Sequence, residues 1–291
     1  MKGRISYIVG VVLSTVLLLG VGPCSDQGTR FSFEALSNAA YSTSVEDEYE
    51  RLLQSYVDSE NLIRYSAWKK NSEDVASLRA ILESMARTND ATLSPQRKMA
   101  FYINAYNAMT IDLILSHYDE SLGGASSPMP GVRSIRNIEG LDWKVWDHFK
   151  WNISGKQRTL NEVEHQILRP MGDARIHFAI VCASMGCPPI HPIVFREAAL
   201  DENLDQLSDA FVNSGRNTTF DPANHKIHTS HILDWFGEDF VAHFGSVKEF
   251  FSRYVQVVTP SEIDDYSIQF DDYDWTLNES ESGDARTERE F

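Results

Sequence analysis

Apolar residues recur at helical spacing through the first third of the chain. Tyr49, Leu52, Leu53 and Tyr56 form one stripe, and Val75, Leu78, Ile81, Leu82 and Met85 repeat it, so Ser44 to Arg97 is predicted to be helical packing material. Ser94-Pro95 is a helix opening, with a hydroxyl at the N-cap and proline at the first helical position, and no breaker follows before about His117. Gly123 to Gly131 reads as a loop. Phe149 to Ile153 then alternates and runs into Ser154-Gly155, a strand followed by a turn. Thr159 with Glu162 three residues later predicts a capping box, and Arg175 to Ala183 reads as a buried strand. Beyond it, helices are predicted over Leu200 to Asn213, over His231 to Phe244 with Ser230 as cap, and over Val247 to Tyr254. Short strands are predicted at Lys226 to Thr229 and Tyr266 to Trp275. The pattern defines an α+β protein: a helical N-terminal part packed on a small, largely antiparallel sheet, in one domain spanning 44–278.

Several polar residues fall where this pattern expects apolar ones. The helix around Phe101-Tyr-Ile-Asn-Ala-Tyr-Asn-Ala-Met-Thr110 is apolar all round, yet places Asn104 and Asn107 on one face, either as ties to neighbouring loops or as ligand contacts. In Thr159-Leu-Asn-Glu-Val-Glu-His-Gln-Ile-Leu-Arg169, Glu164 sits in the middle of the stripe Leu160, Val163, Ile167 and Leu168, with His165 and Arg169 four apart on its flank. A carboxylate aimed at the core is costly unless paired, so Glu164 is either a structural tie or a site carboxylate beside a histidine acid or base. The predicted strand ends in Cys182-Ala-Ser-Met-Gly-Cys187-Pro-Pro189, a small-residue turn of the kind that displays reactive groups. Cys182 and Ser184 are candidate nucleophiles there; a Cys182–Cys187 disulfide or a small buried thiol is the alternative. On a strand, His177 would face away from Cys182 at about 16 Å, leaving His165 or His191 as base. His225, His228 and His231 do not share a direction in the predicted strand and helix, and Cys182 and Cys187 lie too far apart for the usual zinc pairing, so no metal and no cofactor is implied.

Charge adds one restriction. The net charge is −16, but residues 261–291 hold eleven acidic residues against two arginines, which is −9 of it. The body is only mildly acidic and has no basic stripe, which argues against nucleic acid as a partner and points to a small molecule or peptide. Residues 279–291 read as a disordered acidic tail. At the other end, Lys2 and Arg4 precede the apolar run Ile8 to Leu19, and Cys24 follows. The expectation is an export signal over 1–25, cleaved, retained as an anchor or lipidated at Cys24, so that the protein is periplasmic, membrane-anchored or secreted and meets a membrane only through this segment.

The segments Phe101–Ala108, Thr159–Arg169, Arg175–Pro188 and Tyr273-Asp-Trp-Thr-Leu-Asn278 together resemble the domain-of-unknown-function 547 family. The resemblance implies a shared fold and site but supplies no reaction. It directs attention to Asn104, Asn107, Glu164, His165, Arg169, His177, Cys182, Ser184 and Cys187. Two functions fit these residues: a cysteine-dependent hydrolase or transferase, with Cys182 attacking, His165 taking its proton and Glu164 orienting the imidazole, or a non-catalytic binding or structural module pinned by a Cys182–Cys187 disulfide.

Overall fold

The computed structural model describes residues 36, 38–118 and 134–280. The expected export signal, the loop over Gly123–Gly131 and the tail beyond Ser280 lie outside the described residues. The helical N-terminal stretch divides into three helices, α1 (Thr43–Tyr56), α2 (Tyr65–Lys70) and α3 (Ser72–Arg87), the last capped by Asn71. The long helix α4 (Pro95–His117) starts as its sequence predicts, with the Ser94 hydroxyl accepting from the Arg97 N–H and Pro95 at the first position. Nearly every residue from Met99 to Leu115 on α4 is buried, so this helix is the axis of the core.

A short helix α5 (Val145–His148) leads into the hairpin β1 (Trp151–Ile153) and β2 (Lys156–Arg158). Its turn residues Ser154 and Gly155 both have positive φ, the geometry that a two-residue hairpin prefers. The turn's two N–H groups bond the carbonyls of Met85 and Ala86, closing the end of α3. Thr159 and Glu162 form the expected capping box at the start of α6 (Leu160–Val163). The coil then widens into a π-turn over Glu164–Leu168, in which the Arg169 N–H reaches back to the Glu164 carbonyl. Pro170 explains the change: it lacks an N–H and its ring excludes ordinary α continuation, so the chain passes through a wide turn and then a tight one.

The remaining elements are α7 (Leu200–Asn213), β3 (Thr218–Asp221), β4 (Lys226–Ser230), α8 (Ile232–Trp235), α9 (Gly237–Phe244), α10 (Val247–Tyr254) and β5 (Ser267–Asp271). The sheet runs β3-β4-β5, antiparallel then parallel, so antiparallel pairing predominates and the fold is α+β in one domain. The Ser230 hydroxyl accepts from the Ile232 N–H at 3.3 Å, but His231 rather than Ser230 is the N-cap of α8, and the predicted helix His231–Phe244 breaks at Phe236.

Three expectations are corrected. Arg175–Ala183 is not a strand: Ala174–Phe178 is a 3₁₀ turn followed by irregular chain. The segment is buried as expected, but a side chain rather than a neighbouring strand takes up its backbone groups: the Asn107 amide donates to the Ala179 carbonyl at 2.9 Å and accepts from the Val181 N–H at 2.9 Å. The last strand stops at Asp271, so Tyr273 and Trp275 are not core strand residues but face a pocket. Glu279 and Ser280, read with the tail, are bound into the fold, Glu279 Oε1 accepting from the Tyr118 hydroxyl at 2.6 Å and the Ser280 N–H donating to the Ile63 carbonyl at 2.9 Å.

Candidate functional site

The turn after Val181 is held by a segment about 90 residues further along the chain. Ala183 has φ +56°, a left-handed conformation that costs an L-residue about 1–2 kcal/mol, and it is fully buried, so its surroundings must impose it. The C-terminal segment does so. Met185 and Gly186 N–H groups donate to the carbonyls of Thr276 and Asp274 at 2.8 Å each, and the Asn278 N–H reaches the Ala183 carbonyl at 3.3 Å. Gly186 is required at its position, because a Cβ there would meet the Asp274 nitrogen at 2.8 Å. The reversal at Ala183 turns Cys182 and Ser184 toward the same point. Cys182 Sγ lies 3.0 Å from Ser184 Oγ and 3.1 Å from the Tyr273 hydroxyl, and Ser184 donates to Tyr273 at 3.1 Å, closing a triangle of three groups.

This triangle opens onto a cavity of about 460 Å³. Tyr106 of α4, Glu164 and His165 of the π-turn, His177, Cys182 and Cys187 all line it, so the structure brings together the residues that a straight strand would have separated. Cys182 is partly exposed on the wall and Cys187 is buried behind it; both are free thiols, so the disulfide is not present. The Cys187 sulfur accepts from the Cys182 N–H at 3.3 Å. The Cys182 thiol is held below its ordinary pKa by the hydrogen bond with Cys187, then against burial by those with Ser184 and Tyr273; the Cys187 thiol is pushed up.

Glu164 is 8% exposed and accepts from the Tyr106 hydroxyl at 3.1 Å. Burial raises its pKa to about 7, only partly offset by Tyr106 and Arg169, and the neighbouring Cys182 charge pushes the same way. Arg169 does not reach into the cavity. It grips Asp239 of α9 with two nitrogens at 2.7 and 3.0 Å and donates to His165 Nδ1 at 2.8 Å. Asp239 in turn binds His177 Nε2 at 2.7 Å, and the His177 ring stacks on Phe236 with centroids 3.9 Å apart. Although burial opposes it, the bonds to His177 and Arg169 hold the Asp239 carboxyl well below the usual carboxylate range.

These contacts constrain the protons of both histidines, whose pKa values burial lowers. Arginine can only donate, so His165 Nδ1 is the acceptor and its proton sits on Nε2. An ionised Asp239 can only accept, so His177 carries its proton on Nε2 and leaves Nδ1 basic. In this arrangement His165 spends its Nδ1 on Arg169, while the Nδ1 of His177 is left as an acceptor.

Asn104 and Asn107 do not line the cavity. The Asn104 amide donates to the Phe195 carbonyl at 2.7 Å and accepts from its N–H at 2.9 Å, as Asn107 does for Ala179 and Val181, so both are clamps on chain flanking the Cys182 turn. Ser184 holds the thiol from behind. His191 lies on a small separate cavity with Asn104. His225 stacks on Tyr266, His228 faces Asp271 and His231 stacks on Trp235, so the three diverge.

Sequence reasoning missed most of the wall. Tyr106, Asp147, Asn161, Trp143, Trp146, Trp235, Trp275 and Tyr273 all face the cavity, as does Phe236. Tyr106 and Tyr273 lay inside quoted motifs and were legible as polar-tipped residues at otherwise apolar positions; Asp239, on an ordinary helix 62 residues from His177, had no local signal.

Fold and cavity together define an α+β protein with a free thiol at the wall of an aromatic pocket. The family model described as "Protein of unknown function, DUF547" matches residues 91–212, and the chain resembles that family. The match holds Phe101–Ala108, Thr159–Arg169 and Arg175–Pro188; Tyr273–Asn278 lies beyond it, although it supplies one corner of the thiol triangle. No curated protein and no solved structure matches the chain.

Proposed function

We propose that the protein is a cysteine-dependent acyl hydrolase or transferase whose nucleophile is Cys182. The observation that carries this reading is the placement of the Cys182 thiol, on the cavity wall and within reach of two hydroxyls that stabilise its ionised form. Deprotonated Cys182 attacks a substrate carbonyl carbon and forms a thioester as the bond to the leaving group breaks. Glu164, whose pKa of about 7 leaves much of it protonated at neutral pH, hands its proton to that leaving group. The resulting carboxylate then takes a proton from water or from an acceptor, which attacks the thioester carbonyl and releases Cys182 as the thiolate, restoring protonated Glu164. His165, with its proton on Nε2, enters as a hydrogen-bond donor; His177, oriented by Asp239, offers a second basic nitrogen. A non-catalytic pocket is the alternative, and it no longer has a disulfide to rest on.

The test is alkylation. Iodoacetamide should modify Cys182 in native protein well below pH 8.5, the range of an ordinary thiol, while Cys187 reacts only after denaturation. Labelling of Cys182 only at the ordinary pH would defeat the reading.

We also take the protein to be exported through its N-terminal segment, on the charged start and apolar run of residues 2–19. An intact Met1 in the mass of the protein recovered from its native host would contradict this.

A further inference from the structure

The cavity is chemically one-sided. Among the described residues its lining contains no lysine or arginine, but it contains two acids, Asp147 and Glu164, and four of the chain's six tryptophans. Arg169, beside the lining residue His165, is spent on Asp239. Asp147 makes no hydrogen bond or ion pair with any described residue, and its charge is felt at His165, which places it on the catalytic side of the opening. Trp143 and Trp235 are about half exposed, at 54% and 45%, although exposed tryptophan is costly in water and needs a reason. The four indoles form one continuous surface: Trp143 and Trp146 lie with centroids 6.1 Å apart, Trp235 and Trp275 5.9 Å apart, and Trp146 and Trp275 5.8 Å apart.

This surface already takes a cation. The Arg136 guanidinium lies 4.2 Å from the Trp143 ring centroid and 5.2 Å from that of Trp275, at distances where the negative face of an indole attracts positive charge. Among the described residues no cation lies over Trp146 or Trp235; Trp146 stacks on Trp143, and Trp235 on His231 and Trp275, at centroid distances of 5.7–6.1 Å. An anionic ligand would meet Asp147 and a Glu164 that is partly ionised at neutral pH, with Arg136, already engaged by Trp143 and Trp275, as the cation at that edge. A cationic one would find indole faces and an unpartnered carboxylate, in a cavity sized for a small molecule.

We propose that the acyl substrate carries an ammonium group, primary or quaternary, which sits among Trp146, Trp235 and Asp147 while its carbonyl faces Cys182. This deepens the thiol reading and shares its pocket, so the test must separate the two. Cys182→Ser protein, which keeps a hydroxyl in the triangle, is titrated calorimetrically with N-acetyl-lysine amide, with N-acetyl-norleucine amide as the chain-matched neutral compound, and with methyl glucoside as a neutral sugar. The lysine amide should bind about tenfold more tightly than the norleucine amide or better. That preference should shrink at least about threefold in Asp147→Asn, and again when salt is raised from about 0.05 M to about 0.5 M. Asp147 is exposed, so its replacement does not threaten folding. Equal or tighter binding of the norleucine amide, tighter binding of the glucoside, an undiminished preference in Asp147→Asn, or no binding of any of the three would overturn the proposal. Selective lysine-amide binding in a protein whose native Cys182 alkylates only at ordinary pH would sink the nucleophile and keep the ammonium site; the converse result would do the opposite.

Discussion

Glu164 shows how a single residue carries both stability and chemistry. Burial lifts its pKa from 4.5 to about 7, so the folded protein binds this proton more tightly than the unfolded chain does. The sign follows. Below about pH 4.5 both states are protonated and nothing is lost; from there to about pH 7 the unfolded chain gains by ionising while the folded one does not, and stability falls by roughly 3 kcal/mol. Above about pH 7 the deficit stays constant. Glu164→Gln keeps an acceptor for the Tyr106 hydroxyl and removes the proton, so its melting temperature should exceed that of the native protein at pH 8, by on the order of 5 °C, with the difference vanishing near pH 4. Melting curves of the two proteins across this range check it, because the other titrating groups, including His177 and Asp239, cancel in the comparison. A variant less stable than the native protein at pH 8 would mean that Glu164 is a favourable structural charge instead.

At the scale of elements, the site depends on three irregular pieces held by regular ones. The π-turn after α6 aims Glu164 inward, the Asn107 clamp from α4 holds the chain on either side of Ile180, and the segment 273–278 braces the Cys182 turn from the opposite side. Gly186→Ala tests the last of these. Its Cβ would press on the backbone of Asp274 and the ring of Tyr273, displacing the hydroxyl from Cys182. The alkylation profile of Cys182 should then move up toward about pH 8.5, that of an unperturbed thiol, with the protein still folded by circular dichroism. Asn107→Ala removes a clamp instead, stranding a buried carbonyl and N–H at about 1–3 kcal/mol each, and should lower stability by about 3 kcal/mol in denaturant titration.

For the molecule as a whole, the C-terminal segment acts as a strap from the thiol turn to the N-terminal helices. Its last described contacts reach Ile63, Ser66 and Tyr118, all more than 60 positions from Cys182 in sequence. Ending the chain after Asn278 removes at least three hydrogen bonds made by Glu279 and Ser280, about 3 kcal/mol, and should lower the melting temperature by on the order of 5–10 °C against a chain ending at Ser280. Equal melting of the two would show that these contacts carry no net stability.

The helix openings at Ser94-Pro95 and Thr159, the hairpin turn at Ser154-Gly155, the inward position of Glu164 and the resemblance of the quoted motifs were all legible along the chain, because each depends on residues within about one turn of helix or one hairpin. The π-turn was not, since a proline only forbids continuation and does not say which irregular path replaces it. The false strand at Arg175–Ala183 arose because a buried, mostly apolar run does not say whether a strand lies beside it, and here an asparagine from α4 takes the place of the neighbouring strand. What tertiary structure alone decided is the pocket. The Arg169–Asp239–His177 chain joins residues up to 70 positions apart, the Cys182–Tyr273 contact spans 91, and four tryptophans from three separate segments meet at one opening. Local sequence limits which conformations each segment can take, but side-chain partners so far apart are chosen only when the core closes around α4 and brings the segments together.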